Sequence, residues 1–149
     1  MKRFNPDYEM HPMAGQATLR QMPPPSDSEI ELIARVCHEA NRAYCTTLGD
    51  DSQPAWESAP AWQKQSARDG VVANLVPSGP RSSRQPEDAH NSWMENKLRA
   101  GWRWGPKKDP EKKEHPSLLP YRSLTPEERR KDLLFMAICN ALDPSRTNP

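Results

Sequence analysis

No apolar run in the 149-residue chain approaches the roughly 20 residues that a helix needs to span a bilayer. The N-terminus also lacks the apolar core of a signal peptide, so a soluble, cytoplasmic protein without a membrane partner is expected. Cysteine is scarce. Cys37, Cys45 and Cys139 are odd in number and form no Cys-x-x-Cys spacing, which argues against a disulfide framework and leaves reduced, buried thiols. His38, His90 and His115 do not combine with them into a ligand pattern, so no metal site is expected. A charge excess is missing too: 21 basic and 20 acidic residues give a formal net charge of +1. With the two signs interspersed, electrostatic wrapping of a nucleic-acid polymer is excluded. There is no G-x-S-x-G, no P-loop and no G-x-G-x-x-G, and the acids gather in helix first turns. Neither catalysis nor a cofactor is indicated, and His38, His90 and His115 read as capping, core or loop-anchoring groups rather than as bases.

What the chain does have is 17 prolines, a hydrophobic fraction of 34% and a mean hydropathy of −0.99. One packed domain with loose ends follows. Residues 1–25 read as a flexible arm ending in Pro23-Pro24-Pro25. Ser26 and Glu29 form a capping box, and Ile30, Ile33, Ala34, Cys37, Ala40 and Tyr44 then recur at helical spacing up to Gly49. Pro60 opens a second helix that carries Trp62 and ends near Val76, with Gly70 a weak point inside it. Residues 77–85 read as linker. Pro86, Glu87 and Asp88 start a third helix, which Gly101 ends in a left-handed turn. The prolines and the Trp102-Arg103-Trp104 alternation then predict an irregular loop with short strands. Thr125-Pro126-Glu127-Glu128 combines N-cap, first-turn proline and capping-box glutamate. Leu133, Leu134, Met136, Ala137, Ile138, Ala141 and Leu142 predict a mostly buried last helix, and 143–149 a tail.

The most informative stretch is 90–142. His90-Asn91-Ser92-Trp93, Lys97-Leu98, Gly101-Trp102-Arg103-Trp104-Gly105-Pro106, Asp109, Lys113, His115-Pro116 and Leu119-Pro120-Tyr121 follow in one order. This series resembles the Ryr domain, the repeat of ryanodine receptors that also occurs in small bacterial and phage proteins. The likeness covers residues 86–142, about two fifths of the chain. Receptor repeats pair about a pseudo-twofold axis, where facing tryptophans can hold an adenine. The resemblance therefore implies a purine-nucleotide site and, for a phage protein, location in the host cytoplasm.

His38-Glu39-Ala40-Asn41 with its Trp56 loop and Pro60 helix parallels His90-Asn91-Ser92-Trp93 with its own loop and the Pro126 helix. The expected fold is mainly α: a compact domain of two pseudo-repeated helix-loop-helix units, with short β segments in the loops. Within 26–142, residues 28–76 form a divergent first repeat and 86–142 the clear second one. Asn41 then stands opposite Trp93 and Cys45 opposite Lys97, so Tyr44, or Trp93 of a second copy in a homodimer, supplies the other stacking wall.

Trp93 and Lys97 are four residues apart and share a helix face, which sets an ammonium beside a base stacked on the indole. Asn96 adjoins that face. Trp102, Trp104, Tyr121 and Arg122 complete the candidate ligand-binding set with Asn41 and Tyr44, although Trp102 and Trp104 also suit plain packing. The run from Lys107 to Lys113 reads first as a solvated loop. The expected activity is non-catalytic binding of a nucleotide-like small molecule, of adenosine or ADP-ribose type, that senses or sequesters a signalling nucleotide. The rival expectation is an adaptor whose tryptophans and prolines face another protein.

Overall fold

The computed structural model describes residues 23–76 and 84–146. Most of the arm expected at 1–25, most of the linker at 77–85 and the end of the tail lie outside the described residues. The helices are α1 (Asp27–Thr47), α2 (Ala61–Leu75), α3 (Pro86–Arg99) and α4 (Pro126–Ala141). Strands β1 (Arg103–Trp104) and β2 (Glu114–His115) pair in parallel between α3 and α4. Helix α1 packs on α2 and α4, and α3 packs on the same two helices.

Local chemistry sets most boundaries. At the start of α1 the Ser26 hydroxyl accepts the Glu29 N–H while the Glu29 carboxylate accepts the Ser26 N–H. At α4 the Thr125 hydroxyl accepts the Glu128 N–H, but the Glu128 carboxylate does not return to the cap as expected. It accepts instead from Ser117 Oγ at 2.6 Å and from Lys131 Nζ at 2.9 Å. Helices α1 and α3 end alike. Gly49 and Gly101 take φ of 82° and 84°, a conformation that glycine adopts without a Cβ penalty. The next residues, Asp50 and Trp102, donate back to Cys45 and Lys97 carbonyls at 3.0 and 2.9 Å, which closes both helices in the same two-bond motif.

The halves share more than their helix ends. His38 Nε2 lies 2.7 Å from the Pro54 carbonyl and His90 Nε2 lies 2.7 Å from the Leu119 carbonyl. Each carbonyl stands two residues ahead of an aromatic that begins a 3-10 turn, Trp56–Ser58 in one half and Tyr121–Ser123 in the other. Each histidine ring also meets that aromatic, with centroids 5.5 and 5.9 Å apart. Both imidazoles are buried, so each bond satisfies a carbonyl whose loss of partner would cost about 1–3 kcal/mol. The halves differ in loop length, because the β1–β2 excursion stands only in the second.

The core gathers Ile33, Ala34, Cys37, Trp56, Val71, Leu75 and Cys139, with Ile30, Ala67, Phe135 and Ile138 packed against it. The expectation of a mostly buried α4 is corrected. Of its residues only Cys139 is fully buried, while Leu133 is exposed and Leu142, its C-cap, is 40% exposed. A continuous apolar run circles the helix, and only the stripe carrying Phe135, Ile138 and Cys139 faces α1 and α2. Gly70 is likewise a contact point rather than a weak point. A Cβ built there would lie 2.8 Å from Phe135 Cζ, so the missing side chain lets α2 and α4 approach. Gly70→Ala is expected to destabilise the protein by about 1–3 kcal/mol through overpacking, read as a lowered urea midpoint; an unchanged or raised midpoint would contradict this.

Candidate functional site

All four helices line one cavity of about 230 Å³. Cys37, His38 and Asn41 face it from α1, Trp62, Gln63 and Asn74 from α2, Trp93 and Lys97 from α3, and Glu128, Asp132 and Phe135 from α4. Arg84, Lys108 and His115 enter it from the segments flanking α3. Its wall is therefore mixed, with aromatic and apolar surface interrupted by convergent polar groups, as ligand sites usually are.

Lys97 defines one end. Its side chain is buried, and its Nζ stands 4.6 Å from the ring centroid of Trp62 and 4.6 Å from that of Trp102. The two indoles are 5.2 Å apart, tilted by 50°. An ammonium between two π faces gains about 0.5–2 kcal/mol from each, but no carboxylate among the described residues pairs with it. Burial, reinforced by Lys108, lowers its pKa to about 8. Lys108 Nζ lies 5.7 Å from the Trp62 ring, and burial lowers its pKa as well.

Trp93 stands one turn before Lys97. It is half-buried, with His115 edge-on at 5.0 Å and His90 at 5.6 Å. His115 Nδ1 accepts the Ser117 N–H at 3.1 Å, so the proton sits on Nε2 and the ring is neutral. Burial, with the nearby Lys108, pushes its pKa down to about 4. On α4, burial and then the Glu128 charge push Asp132 up to about 7. Its Oδ2 lies 3.7 Å from His90 Nδ1. Glu128 and Asp132 do not make a free acid and base pair, because Ser117 and Lys131 hold the Glu128 carboxylate.

The candidate residues from sequence divide clearly. Trp93, Lys97 and Asn41 come together on the cavity wall. Trp102 is buried behind Lys97 rather than lining the space. Trp104 is 54% exposed and outside it. Asn96 points to solvent at an exposed α3 position, and Arg122 is also exposed. Tyr121 packs on His90 and accepts the Arg129 guanidinium over its ring. The Tyr44 hydroxyl donates to the Glu127 carbonyl at 3.2 Å, so this ring is a strut between α1 and α4.

Sequence reasoning missed Trp62, Arg84, Phe135 and Asp132. It also placed the whole Lys107 to Lys113 run in solvent, whereas Lys108 turns inward and Lys113 donates to the Ala100 carbonyl at 2.8 Å. The positive φ of 53° at Lys113 is the local bend that ends this loop. Among the described residues, no group of three or more His, Cys, Asp or Glu could hold a metal, and no helix is long and apolar enough to cross a membrane.

Residues 82–138 match the family model described as the RyR domain. The match runs from the segment carrying Arg84 through α3, the β1–β2 loop and most of α4. It contains Trp93, Lys97, Lys108, His115, Asp132 and Phe135, while Asn41 and Trp62 lie in the half before it.

The raised pKa of Asp132 has a stability consequence of definite sign. The folded state holds this proton more tightly than the unfolded chain, so stability falls as pH rises from about 4 through 7. Asp132→Asn is expected to stabilise the protein at pH 8 by on the order of 2 kcal/mol, in urea denaturation, with the gap closing at pH 4. A gap that widened toward pH 4 would contradict the assignment.

Proposed function

For a chain that carries a RyR domain across residues 82–138, we propose non-catalytic binding of a nucleotide-derived small molecule, of adenosine or ADP-ribose type, in the four-helix cavity. The observation that carries this reading is the pairing of an accessible indole, Trp93, with the cations Lys97 and Lys108, which have no carboxylate partner among the described residues. The one lysine of the cavity that does have a partner is Lys131, held by Glu128. An aromatic, anionic guest answers both features at once: its base covers the indole and its phosphate neutralises the buried ammonium groups.

Magnitudes support a usable affinity. Stacking on an aromatic contributes about 1–3 kcal/mol per base, and a hydrogen bond to a charged group about 1.5–3 kcal/mol. One stack with two such bonds, one each to Lys97 and Lys108, sums to about 4–9 kcal/mol, a range that includes the roughly 8 kcal/mol of a micromolar complex. A volume of about 230 Å³ is below the ~300–1,000 Å³ of pockets for drug-sized ligands, which favours a nucleoside-sized core with its substituents reaching the mouth. Asn41 and Asp132 offer donors and acceptors to a base edge. Binding without turnover suits sensing or sequestration of a signalling nucleotide.

Exposed Leu98 and Trp104, 53% and 54% accessible near the end of α3, favour a second reading as an adaptor for another protein. Calorimetry and thermal shift with ATP, ADP-ribose and cyclic nucleotides separate the two. A nucleotide binder gains melting temperature and loses tenfold or more in affinity on Trp93→Ala, whereas an adaptor shows neither. Binding should also take up protons. A phosphate beside Lys97 raises its affinity for hydrogen ions, so at pH 8 the calorimetric enthalpy should depend on the ionisation enthalpy of the buffer. Measured with ADP-ribose, whose pyrophosphate does not titrate in this range, the buffer dependence should be smaller at pH 6.5, where Lys97 is already charged; equal buffer dependence at both values would place the phosphate elsewhere.

A further inference from the structure

Arg84 stands in the cavity wall with an unanswered donor. Its Nε donates to Asn74 Oδ1 at 3.1 Å, and Asn74 Nδ2 in turn donates to the Gly70 carbonyl at 2.9 Å. This chain fixes the guanidinium against the last turns of α2. Its Nη2 is buried and has no hydrogen-bond partner among the described residues, and no described carboxylate forms an ion pair with the side chain. A buried donor on a charged group is costly to leave unmade. Guanidinium presents its N–H groups in a planar fork that suits phosphate or carboxylate oxygens.

This cation is far from Lys97. Helices α2 and α3 run in opposite directions along the cavity: Trp62, at the start of α2, meets Lys97 near the end of α3, and Asn74, near the end of α2, meets Arg84 just ahead of α3. From Trp62 to Asn74 is roughly 18 Å of helix at 1.5 Å per residue. Ser66, Ala67, Gly70, Ala89, Ser92 and Trp93 line the space between. The site thus has a cationic pole at each end and a flat indole in the middle.

We propose that Arg84 is a second anion-binding residue, and that the cavity selects a nucleotide whose two anionic groups lie apart, on different atoms of the sugar or on successive nucleotides. This rests on the nucleotide reading above but deepens it: a contiguous diphosphate satisfies one pole and leaves the other empty, whereas separated phosphates satisfy both. Total charge is not the discriminating quantity; its placement is.

Adenosine 3′,5′-bisphosphate and ADP test this, since both carry two phosphates on one adenosine. Wild-type protein is expected to bind the bisphosphate about tenfold more tightly in calorimetry. Arg84→Gln should remove that preference by weakening the bisphosphate about tenfold more than ADP, and Arg84→Lys should restore part of it. Equal affinity of the wild type for both ligands, or equal loss of both on Arg84→Gln, overturns the proposal.

Inorganic phosphate separates this outcome from failure of the nucleotide reading. Phosphate alone should raise the melting temperature of the wild type by a few degrees, less in Arg84→Gln and less in Lys97→Met, with circular dichroism showing both variants folded. If no nucleotide binds but this pattern holds, the nucleotide reading falls and the anion site at Arg84 stands. If Arg84→Gln responds to phosphate as the wild type does, the anion site falls.

Discussion

Lys97 is the point at which the two halves of the molecule meet. Its ammonium, carried by α3, lies between the indole of Trp62 from α2 and that of Trp102 from the loop beyond. That stack draws the start of α2 toward the end of α3, and the Schellman-type exit at Gly101 turns the chain so that Trp102 can reach it. Attraction to two π faces offsets part of the desolvation, and no described carboxylate offsets the rest. The same arrangement therefore supplies both a tertiary contact and a positive charge at the cavity wall.

Several other groups are held short of their ordinary state. Asp132 keeps its proton to about neutrality, His115 stays uncharged, and Arg84 leaves one nitrogen unanswered. A chain selected for stability alone would replace such groups with hydrocarbon of similar volume. Here they converge on a single space, and local sacrifices of stability clustered in one place are the usual mark of a binding site. The apolar core beside it, from Ile33 to Cys139, is conventional and carries the fold.

Much of the architecture was legible in the sequence because it rests on local rules. Ser26 with Glu29, Pro86, Gly49, Gly101 and Thr125 with Pro126 mark helix ends by hydrogen bonding and backbone angle alone, and the structure places those ends within a residue or two. The parallel between His38 and His90 was also visible, although the carbonyls they bind were not, since these lie far along the chain. Trp93 and Lys97 were legible as neighbours on a helix face. Lys97's embrace by Trp62 was not, because Trp62 lies 35 residues earlier and only the antiparallel packing of α2 on α3 joins them. Arg84, Lys108 and Asp132 escaped for a related reason: a charged residue on a polar helix or loop carries no local sign that it turns inward. The burial of α4 was overestimated because apolar content was counted without asking which stripe faces a neighbour.

The β1–β2 excursion between Gly101 and Tyr121 has no counterpart between Gly49 and Trp56. It brings Lys108 and His115 to one flank of the cavity, where the shorter connection after α1 contributes Gln53. An enclosure built from two similar halves is thereby given handedness and polarity. A molecule entering it meets unlike surroundings to left and right, so even a guest with its own twofold symmetry would be held unequally at its two ends, and an asymmetric one would have a single preferred way round.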